Sequence, residues 1–193
     1  MKTNVKRFLQ SKAKKGFTLI ELLVVIGILG ILASALVATI DPFEQLKKAN
    51  DANVKNILVE FNNATIRYYA THNAYPWDSA ANGGGGCNTN TAPSEMQLSG
   101  TAGTSCVTAL VGDNELKQSF SAATGDLAKI YVTYDSTNNL VIGCFQPQSK
   151  SGQNDANTKF NGDGTAGSGT KSCATDSLGN PANMNGGCFW CTR

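Results

Sequence analysis

The sequence predicts an α+β protein in which a long N-terminal helix precedes a smaller region built around an antiparallel sheet. An uncharged apolar run from Leu22 to Ile40 and a helical apolar periodicity after Pro42 predict the helical part. Two β-prone runs on either side of residue 137 predict the sheet. Six cysteines, all at or after Cys87 in Gly- and Asn-rich sequence, predict loops pinned by disulfides.

Charge is divided unevenly along the chain. The 193 residues carry a net charge of +2, yet six basic residues and no acid precede Phe17. The remainder holds ten basic residues against 14 acidic ones, a net charge of about −4. A basic leader joined to a mildly acidic body does not suggest a nucleic-acid-binding face, which needs positive charge on a folded surface.

The first element is long enough to cross a membrane. As a helix, residues 17–40 would span roughly 36 Å, against a hydrocarbon core of about 30 Å. The basic block before them predicts that residues 1–16 stay in the cytoplasm and that the rest is exported. The segment contains one carboxylate, Glu21. A charge inside a membrane segment is costly, so its presence marks a candidate functional site.

Two kinds of processing fit this N-terminus. An ordinary signal peptidase would cut after the small residues at 33–35 and release a secreted, disulfide-rich protein beginning at Leu36. The apolar run continues past that point, however, and Glu21 would lie inside the signal. The second alternative is a cut between Gly16 and Phe17, which leaves the apolar segment on the mature protein.

Residues 14–33, KKGFTLIELLVVIGILGILA, resemble the class III prepilin signal of type IV pilins and of the related pseudopilins of type II secretion. The resemblance covers residues 12–40 and implies a pilin-like fold and a structural protein without enzymatic activity. It also implies a cut after Gly16 by a prepilin peptidase and N-methylation of Phe17. Glu21 would then be the carboxylate that assembly needs.

Electrostatics give Glu21 the same role. The cut creates a positive amine on Phe17, close to the membrane boundary. In a helical stack of identical subunits, each carboxylate can meet the amine of a neighbour, and the two charges neutralise each other in the apolar core. Because the loss of one partner of a buried pair costs about 3–5 kcal/mol, such a pair fixes the register between subunits.

A joint and a second helix follow. Asp41-Pro42 predicts a kink, or a new helix with Pro42 in its first turn and Asp41 as its N-cap. Gly27 and Gly30 weaken the preceding helix by up to about 1 kcal/mol each relative to alanine. Residues 42–71 form an amphipathic helix whose apolar stripe is expected to pack against the sheet. The stripe consists of Phe43, Leu46, Val54, Ile57, Phe61, Ala64 and Tyr68.

The head comprises residues 72–193. Runs at Ile130–Tyr134 and Leu140–Phe145, joined by a polar turn, predict an antiparallel hairpin. Residues 114–123 predict a short helix, and residues 149–187, poor in large apolar side chains, predict a loop pinned by disulfides. The six cysteines leave fifteen pairings open. They are Cys87, Cys106, Cys144, Cys173, Cys188 and Cys191.

The sequence of the head shows no recognisable set of catalytic or metal-binding residues. His72, the only histidine, is predicted to be a surface residue. Cys188 and Cys191 have C-x-x-C spacing but no βαβ context, and no second such pair completes a zinc site. Four oxygen-bearing side chains resemble half of a calcium loop, although Lys159 occupies a ligand position and no glutamate closes it, so calcium is the weaker interpretation. They are Asp155, Asn157, Asn161 and Asp163.

The sequence therefore predicts a subunit of a type IV pilus-like filament serving adhesion, motility or DNA uptake, with a type II secretion pseudopilin as the alternative. The expected parts are a removed leader at 1–16, a membrane and filament-core helix at 17–41, the helix at 42–71 and the head. Expected partners are identical subunits, a prepilin peptidase, an inner-membrane assembly platform and, before assembly, the membrane. The precursor would cross the inner membrane once, and the filament would be an extracellular pilus or a periplasmic pseudopilus.

Overall fold

A computed structural model of the chain describes residues 16–39, 41–78, 87, 92–168, 170–176 and 180–192. The chain divides into two compact units, Met1–Asp41 and Pro42–Arg193. The basic leader up to Lys15 lies outside the described residues. The architecture is α+β, with long N-terminal helices, a five-stranded antiparallel sheet and three disulfides, which confirms the predicted fold class.

Among its described residues, the first unit contains one helix, α1, at Leu19–Thr39. Its segment Leu19–Val37 has a mean hydropathy of 2.7 and is long and apolar enough to cross a membrane, judged by length and composition. The side chains of residues 19–37 are all exposed. The helix is continuous through Gly27 and Gly30. A helix that is apolar on every side needs lipid or other helices around it, and the described residues of its own unit supply neither.

The second unit begins with α2 at Pro42–His72. α1 ends at Thr39 and α2 begins at Pro42, so the helical ladder is interrupted where Asp41-Pro42 predicts a joint. Proline suits the first turn of a helix because its missing N–H would have no partner there. The helix ends at His72, one residue beyond the predicted end at residue 71.

The apolar stripe of α2 is buried only in its C-terminal two thirds. Phe43 and Leu46 are 74% and 62% exposed, so the prediction that they pack against the sheet is wrong. A helix of 31 residues is about 46 Å long, whereas a six-residue strand covers only about 20 Å. The sheet therefore cannot cover the first turns. The buried residues of α2 are Val54, Leu58, Phe61, Asn62, Ala64, Thr65 and Tyr68.

The sheet has the strand order β1-β2-β3-β5-β4, and all its described pairs are antiparallel. The predicted hairpin is confirmed, with Ile130 opposite Phe145 and Asp135 opposite Leu140. The strands are β1 Met96–Gln97, β2 Ile130–Asp135, β3 Leu140–Phe145, β4 Thr158–Phe160 and β5 Phe189–Cys191.

The two faces of the sheet support separate apolar clusters. On one face, Val132, Val141 and Phe145 join the main core with the buried residues of α2. Gly143 lies on this face, where a Cβ atom would be 3.0 Å from Leu58 Cγ, so the missing side chain lets α2 approach closely. The other face carries a smaller cluster formed by Ile142, Cys144, Phe189 and Cys191, with Tyr131, Phe160 and Met184 packed against it.

Short elements complete the second unit. Helix α3 at Thr101–Gly112, which the sequence did not predict, packs against β1. A Cβ atom on Gly103 would collide with the carbonyl oxygen of Gln97, so only glycine fits there. The predicted helix at 114–123 is a 3₁₀ helix of five residues, Gln118–Ala122. Helices α4, Thr124–Leu127, and α5, Lys150–Gln153, have four residues each.

An aromatic cluster anchors the chain that leaves α2. The ring of Tyr75 stacks on Trp77 at 5.0 Å between centroids and lies 5.0 Å from the ring of Tyr134. Both phenols donate to the hairpin residue Asn139: Tyr75 to its carbonyl oxygen at 3.3 Å, and Tyr134 to its side-chain oxygen at 2.6 Å. Burial raises the pKa of Tyr75, so its phenol stays protonated and able to donate.

Candidate functional site

The carboxylate of Glu21 closes a reciprocal cap at the start of α1. Thr18 donates to Glu21 Oε2 twice, through its backbone N–H at 2.9 Å and its hydroxyl at 2.7 Å. The backbone N–H of Glu21 donates in return to Thr18 Oγ1 at 3.3 Å. Thr18 precedes the first helical residue and Glu21 is the third, which is the arrangement of a capping box.

This cap fixes where the charge lies. A carboxylate in the first turn of a helix is stabilised by the unpaired N–H groups and by the positive end of the helix dipole. Both hydrogen bonds from Thr18 go to Oε2, and Oε1 has no hydrogen-bond partner among the described residues. Glu21 borders a shallow groove whose other lining residues are apolar, namely Phe17, Ile20, Val24 and Val25.

The Gly16–Phe17 peptide bond lies ahead of the helix. Residues 16–18 are irregular, and α1 begins only at Leu19. Gly16 is exposed and has nothing within 4 Å of its Cβ position, and Phe17 is 77% exposed. Because this bond belongs to no regular element, a peptidase could reach it without unwinding the helix.

One feature of this site, the capping box, was not predicted, although the sequence contains its pattern. The spacing of Thr18 and Glu21 in FTLIE fits the S/T-x-x-E pattern of a capping box. The charge of Glu21 indicates a role between subunits, whereas this spacing indicates local hydrogen bonds within one chain. The carboxylate therefore has two separable features: it caps its own helix, and it carries a negative charge into an apolar segment.

All six cysteines form disulfides, which confirms that prediction. The pairs are Cys87–Cys106, Cys144–Cys191 and Cys173–Cys188. Cys144 and Cys191 lie directly opposite each other on β3 and β5. The two cysteines of the C-x-x-C segment are bonded to different partners, so they do not form a disulfide of the thioredoxin kind.

The four calcium candidates lie at the two ends of β4 and take part in local turns. Asp155 Oδ1 accepts from the N–H of Asn157 at 2.7 Å. Asp163 Oδ1 accepts from the N–H of Thr165 at 2.8 Å and from its hydroxyl at 2.6 Å. Asn161 Oδ1 accepts from the N–H of Gly187 at 3.2 Å. Within the described ranges, no three or more His, Cys, Asp or Glu side chains are placed to hold a metal ion.

Polar contacts also join α2 to the rest of the head. Asp51 accepts from the backbone N–H groups of Gln148 and Ser149, at 2.8 and 2.9 Å. Lys55 Nζ lies 4.1 Å from the ring centroid of Trp190, a cation–π contact. Further along the helix, Asn62 donates to the hydroxyl of Thr192 at 2.6 Å. The second unit thus holds α2 by charge and hydrogen bonds as well as by its core.

The lone histidine gives no sign of catalysis. His72 lies at the exposed C-terminal end of α2, and its ring stacks on Tyr68 at 4.0 Å between centroids. Its Nδ1 lies within hydrogen-bond distance of the Thr71 hydroxyl, at 2.9 Å, and of the Tyr68 carbonyl oxygen, at 3.2 Å. These contacts are local to the end of the helix and fit the surface position that the sequence predicts.

Comparison with known proteins gives one match. The family model of the prokaryotic N-terminal methylation motif matches residues 11–37, a range that contains Gly16, Phe17, Thr18 and Glu21. Comparison with curated proteins and with solved structures gives no match. The match and the apolar α1 fit a precursor anchored in the inner membrane. The chain thus has the class III signal of a type IV pilin-like or pseudopilin precursor that prepilin peptidase processes, joined to an α+β head with three disulfides.

Proposed function

We propose that the chain is the structural subunit of a type IV pilus-like filament. Residues 1–16 are the leader, removed by a prepilin peptidase that then methylates the new N-terminus at Phe17. Residues 17–41 anchor the precursor in the inner membrane and later form the filament core. The helix at 42–71 and the head at 72–193 follow. The observation that best supports this proposal is the single carboxylate, Glu21, at the start of a helix that exposes apolar side chains on every side.

The exposure of α1 favours a subunit over a secreted monomer. Its side chains from residue 19 to residue 37 are all exposed. Burial of apolar surface stabilises by roughly 25 cal/mol per Å², so a helix of this kind is driven into lipid or against other helices. Lipid covers it before assembly, and the equivalent helices of neighbouring subunits cover it in the filament.

Glu21 supplies the docking charge. The cut at Gly16 gives each mature subunit a positive amine at Phe17. The capping box holds Glu21 Oε2 on its own Thr18 and leaves Oε1 for the amine of a neighbour. In the apolar core an unmatched charge costs several kcal/mol, so only the register that pairs each carboxylate with an amine is stable.

A variant pair separates the charge from the cap. Glu21→Gln keeps an oxygen that can accept from the Thr18 N–H, because capping boxes use Glu or Gln, but it loses the charge. Glu21→Ala loses both. We expect both variants to be cut normally and neither to form filaments. Processing is read from the mass of the membrane-bound protein, and assembly from electron microscopy and from the sheared surface fraction.

Thr18→Val is the matched control, since it removes the hydroxyl of the cap and leaves the charge. We expect filaments from Thr18→Val in numbers near those of the unaltered chain. Normal filaments from Glu21→Gln would contradict the role of the charge. Loss of filaments in Thr18→Val together with normal filaments in Glu21→Gln would assign Glu21 to helix capping alone.

The pilus is preferred to the secretion pseudopilus because of the head. A head of this length with three disulfides suits a fibre exposed outside the cell. The same N-terminal motif also serves pseudopilins, whose filament stays in the periplasm. Labelling of intact cells with antibody against the head separates the two, since long surface fibres are expected for the pilus and none for the pseudopilus.

A further inference from the structure

Two of the three disulfides are nested along the chain. Cys144–Cys191, with a sequence separation of 47, encloses Cys173–Cys188, with a separation of 15. Cys87–Cys106 precedes both and joins two cysteines that are consecutive in the sequence. The head therefore contains one pair that simple sequential oxidation would give and two that it would not.

Sequential oxidation leads to a specific wrong product. A chain whose head leaves the cytoplasm in sequence order presents Cys144, Cys173, Cys188 and Cys191 in that order. Consecutive pairing would join Cys144 to Cys173 and Cys188 to Cys191. The wrong Cys188–Cys191 loop is shorter than either native loop, and loop-closure entropy favours short loops.

The wrong product is incompatible with the sheet. Cys188 immediately precedes β5, and Cys191 ends it. In an extended chain, residues three positions apart have Cα atoms about 10 Å apart. A disulfide holds its two Cα atoms within about 7 Å. A Cys188–Cys191 bond would therefore prevent β5 from extending and pairing with β3.

The folded head also hides the atoms that would need to react. Cys144, Cys188 and Cys191 are all buried, and Cys144 and Cys191 belong to the smaller apolar cluster of the sheet. Correction of a wrong pair must therefore precede completion of the sheet. Intramolecular exchange stops at that point, because the oxidised chain has no free thiol left to start it.

We propose that this chain is a client of a thiol–disulfide isomerase, in addition to a dithiol oxidase. The oxidase accepts two electrons and two protons for each disulfide formed. The isomerase thiolate then attacks Cys188 of the wrong pair, forms a mixed disulfide and releases the Cys191 thiolate. That thiolate attacks Cys144 and releases the Cys173 thiolate, which attacks Cys188 and frees the isomerase. The exchange is redox-neutral and requires no role in a filament.

The test exports the full-length chain in a Gram-negative host that retains its dithiol oxidase, with its isomerase present or deleted. Disulfide-linked peptides from the membrane fraction are quantified by mass spectrometry. We expect the native nested pairs to dominate with the isomerase. Without it, we expect them to fall about threefold or more, because random pairing of four cysteines gives the native set about once in three. Peptides linking Cys188 to Cys191 should accumulate.

Variants test the nesting itself. Cys173→Ser/Cys188→Ser leaves only consecutive native pairs, so its Cys144–Cys191 bond should form equally with and without the isomerase. Cys87→Ser/Cys106→Ser keeps the nested pairs and should stay dependent on it. An equal native fraction for the unaltered chain with and without the isomerase would overturn the proposal. So would a loss of the Cys144–Cys191 bond in the Cys173→Ser/Cys188→Ser variant as large as in the unaltered chain.

Discussion

The two long helices of this chain differ in whether their apolar side chains are buried. α1 exposes apolar side chains on every side and carries one charge, Glu21. From Val54 onward, α2 buries one face in the main core, and Leu58 and Phe61 have no exposed surface. The apolar core of the head is therefore internal, whereas α1 requires lipid or other helices around it. Changes in the head should alter folding, and changes in α1 should alter assembly.

The first turns of α2 resemble α1, because their apolar side chains are exposed. Phe43 and Leu46 are exposed although they continue the stripe that is buried further along. The chain fastens this part of α2 through Asp51, which accepts two backbone N–H groups, and not through apolar packing. The boundary between the two behaviours therefore lies near Val54, within α2, and not at Pro42.

The largest effect on the head is expected from its longest disulfide loop. Cys144→Ser/Cys191→Ser removes the disulfide that closes a loop with a sequence separation of 47. It should lower the free energy of unfolding by about 4 kcal/mol. Cys173→Ser/Cys188→Ser, with a separation of 15, should cost about 3 kcal/mol. Denaturant unfolding of the detergent-solubilised chain measures both. Both variants should insert into the membrane as well as the unaltered chain does. Impaired insertion would contradict the claim that changes in the head affect only the folding of the head.

Two leucines of α2 test the boundary directly. Leu58 is fully buried against Gly143, so Leu58→Ala should lower the free energy of unfolding by about 2–5 kcal/mol. Leu46 is 62% exposed, and Leu46→Ala should stay within about 0.5 kcal/mol. The same unfolding experiment compares them. A cost for Leu46→Ala as large as that for Leu58→Ala would place the boundary at the start of α2.

Gly143→Ala is expected to have a smaller effect. The added Cβ would lie 3.0 Å from Leu58 Cγ and 3.1 Å from its Cδ2, which should cost about 1–3 kcal/mol through overpacking. The control is Gly112→Ala at the end of α3, where nothing lies within 4 Å of the Cβ position. Combining Gly143→Ala with Leu58→Ala should cost less than the sum of the single changes, because the smaller side chain makes room. Strict additivity would show that Leu58 does not set the distance between α2 and the sheet.

The smallest effect is expected at the tip of the hairpin. Asp135 accepts from the side-chain amide of Asn138 at 2.7 Å and from the N–H of Thr137 at 2.9 Å, and these bonds hold its pKa below the ordinary value. Its stabilising contribution is complete above the ordinary aspartate pKa of about 3.9 and is lost as the pH falls through the lowered value. Asp135→Asn should therefore slightly lower the midpoint of thermal unfolding at neutral pH, with the difference shrinking in acid. A difference that grows in acid would contradict this assignment.

The sequence predicts best what depends on neighbouring residues. The N-terminal signal, the joint at Asp41-Pro42 and the hairpin are all local patterns. Helix α3 was missed because Gly103 and the Ser and Thr residues around it have weak helix propensity. It forms where Val107 and Leu110 can be buried, and tertiary packing of this kind overrides propensity.

Contacts between residues far apart in the sequence account for the other features that the sequence did not predict. The burial of Asn62 depends on Thr192, which is 130 positions away. The pairing of Cys144 with Cys191 depends on the order of the strands, which no spacing in the sequence reveals. The exposure of Phe43 and Leu46 depends on where the sheet ends. At the candidate site, the charge of Glu21 was predicted from the sequence alone, whereas its bonds to Thr18 came only from the structure.

The mature N-terminus tests the central claim most directly, because both assembly and the role of Glu21 require that α1 stay on the protein. Intact-mass measurement and N-terminal sequencing of the membrane-bound or filament fraction read it. We expect N-methylated Phe17 as the first residue, with the apolar helix retained. A terminus at Leu36, left by an ordinary signal peptidase, would remove most of α1 together with Glu21 and would contradict the account.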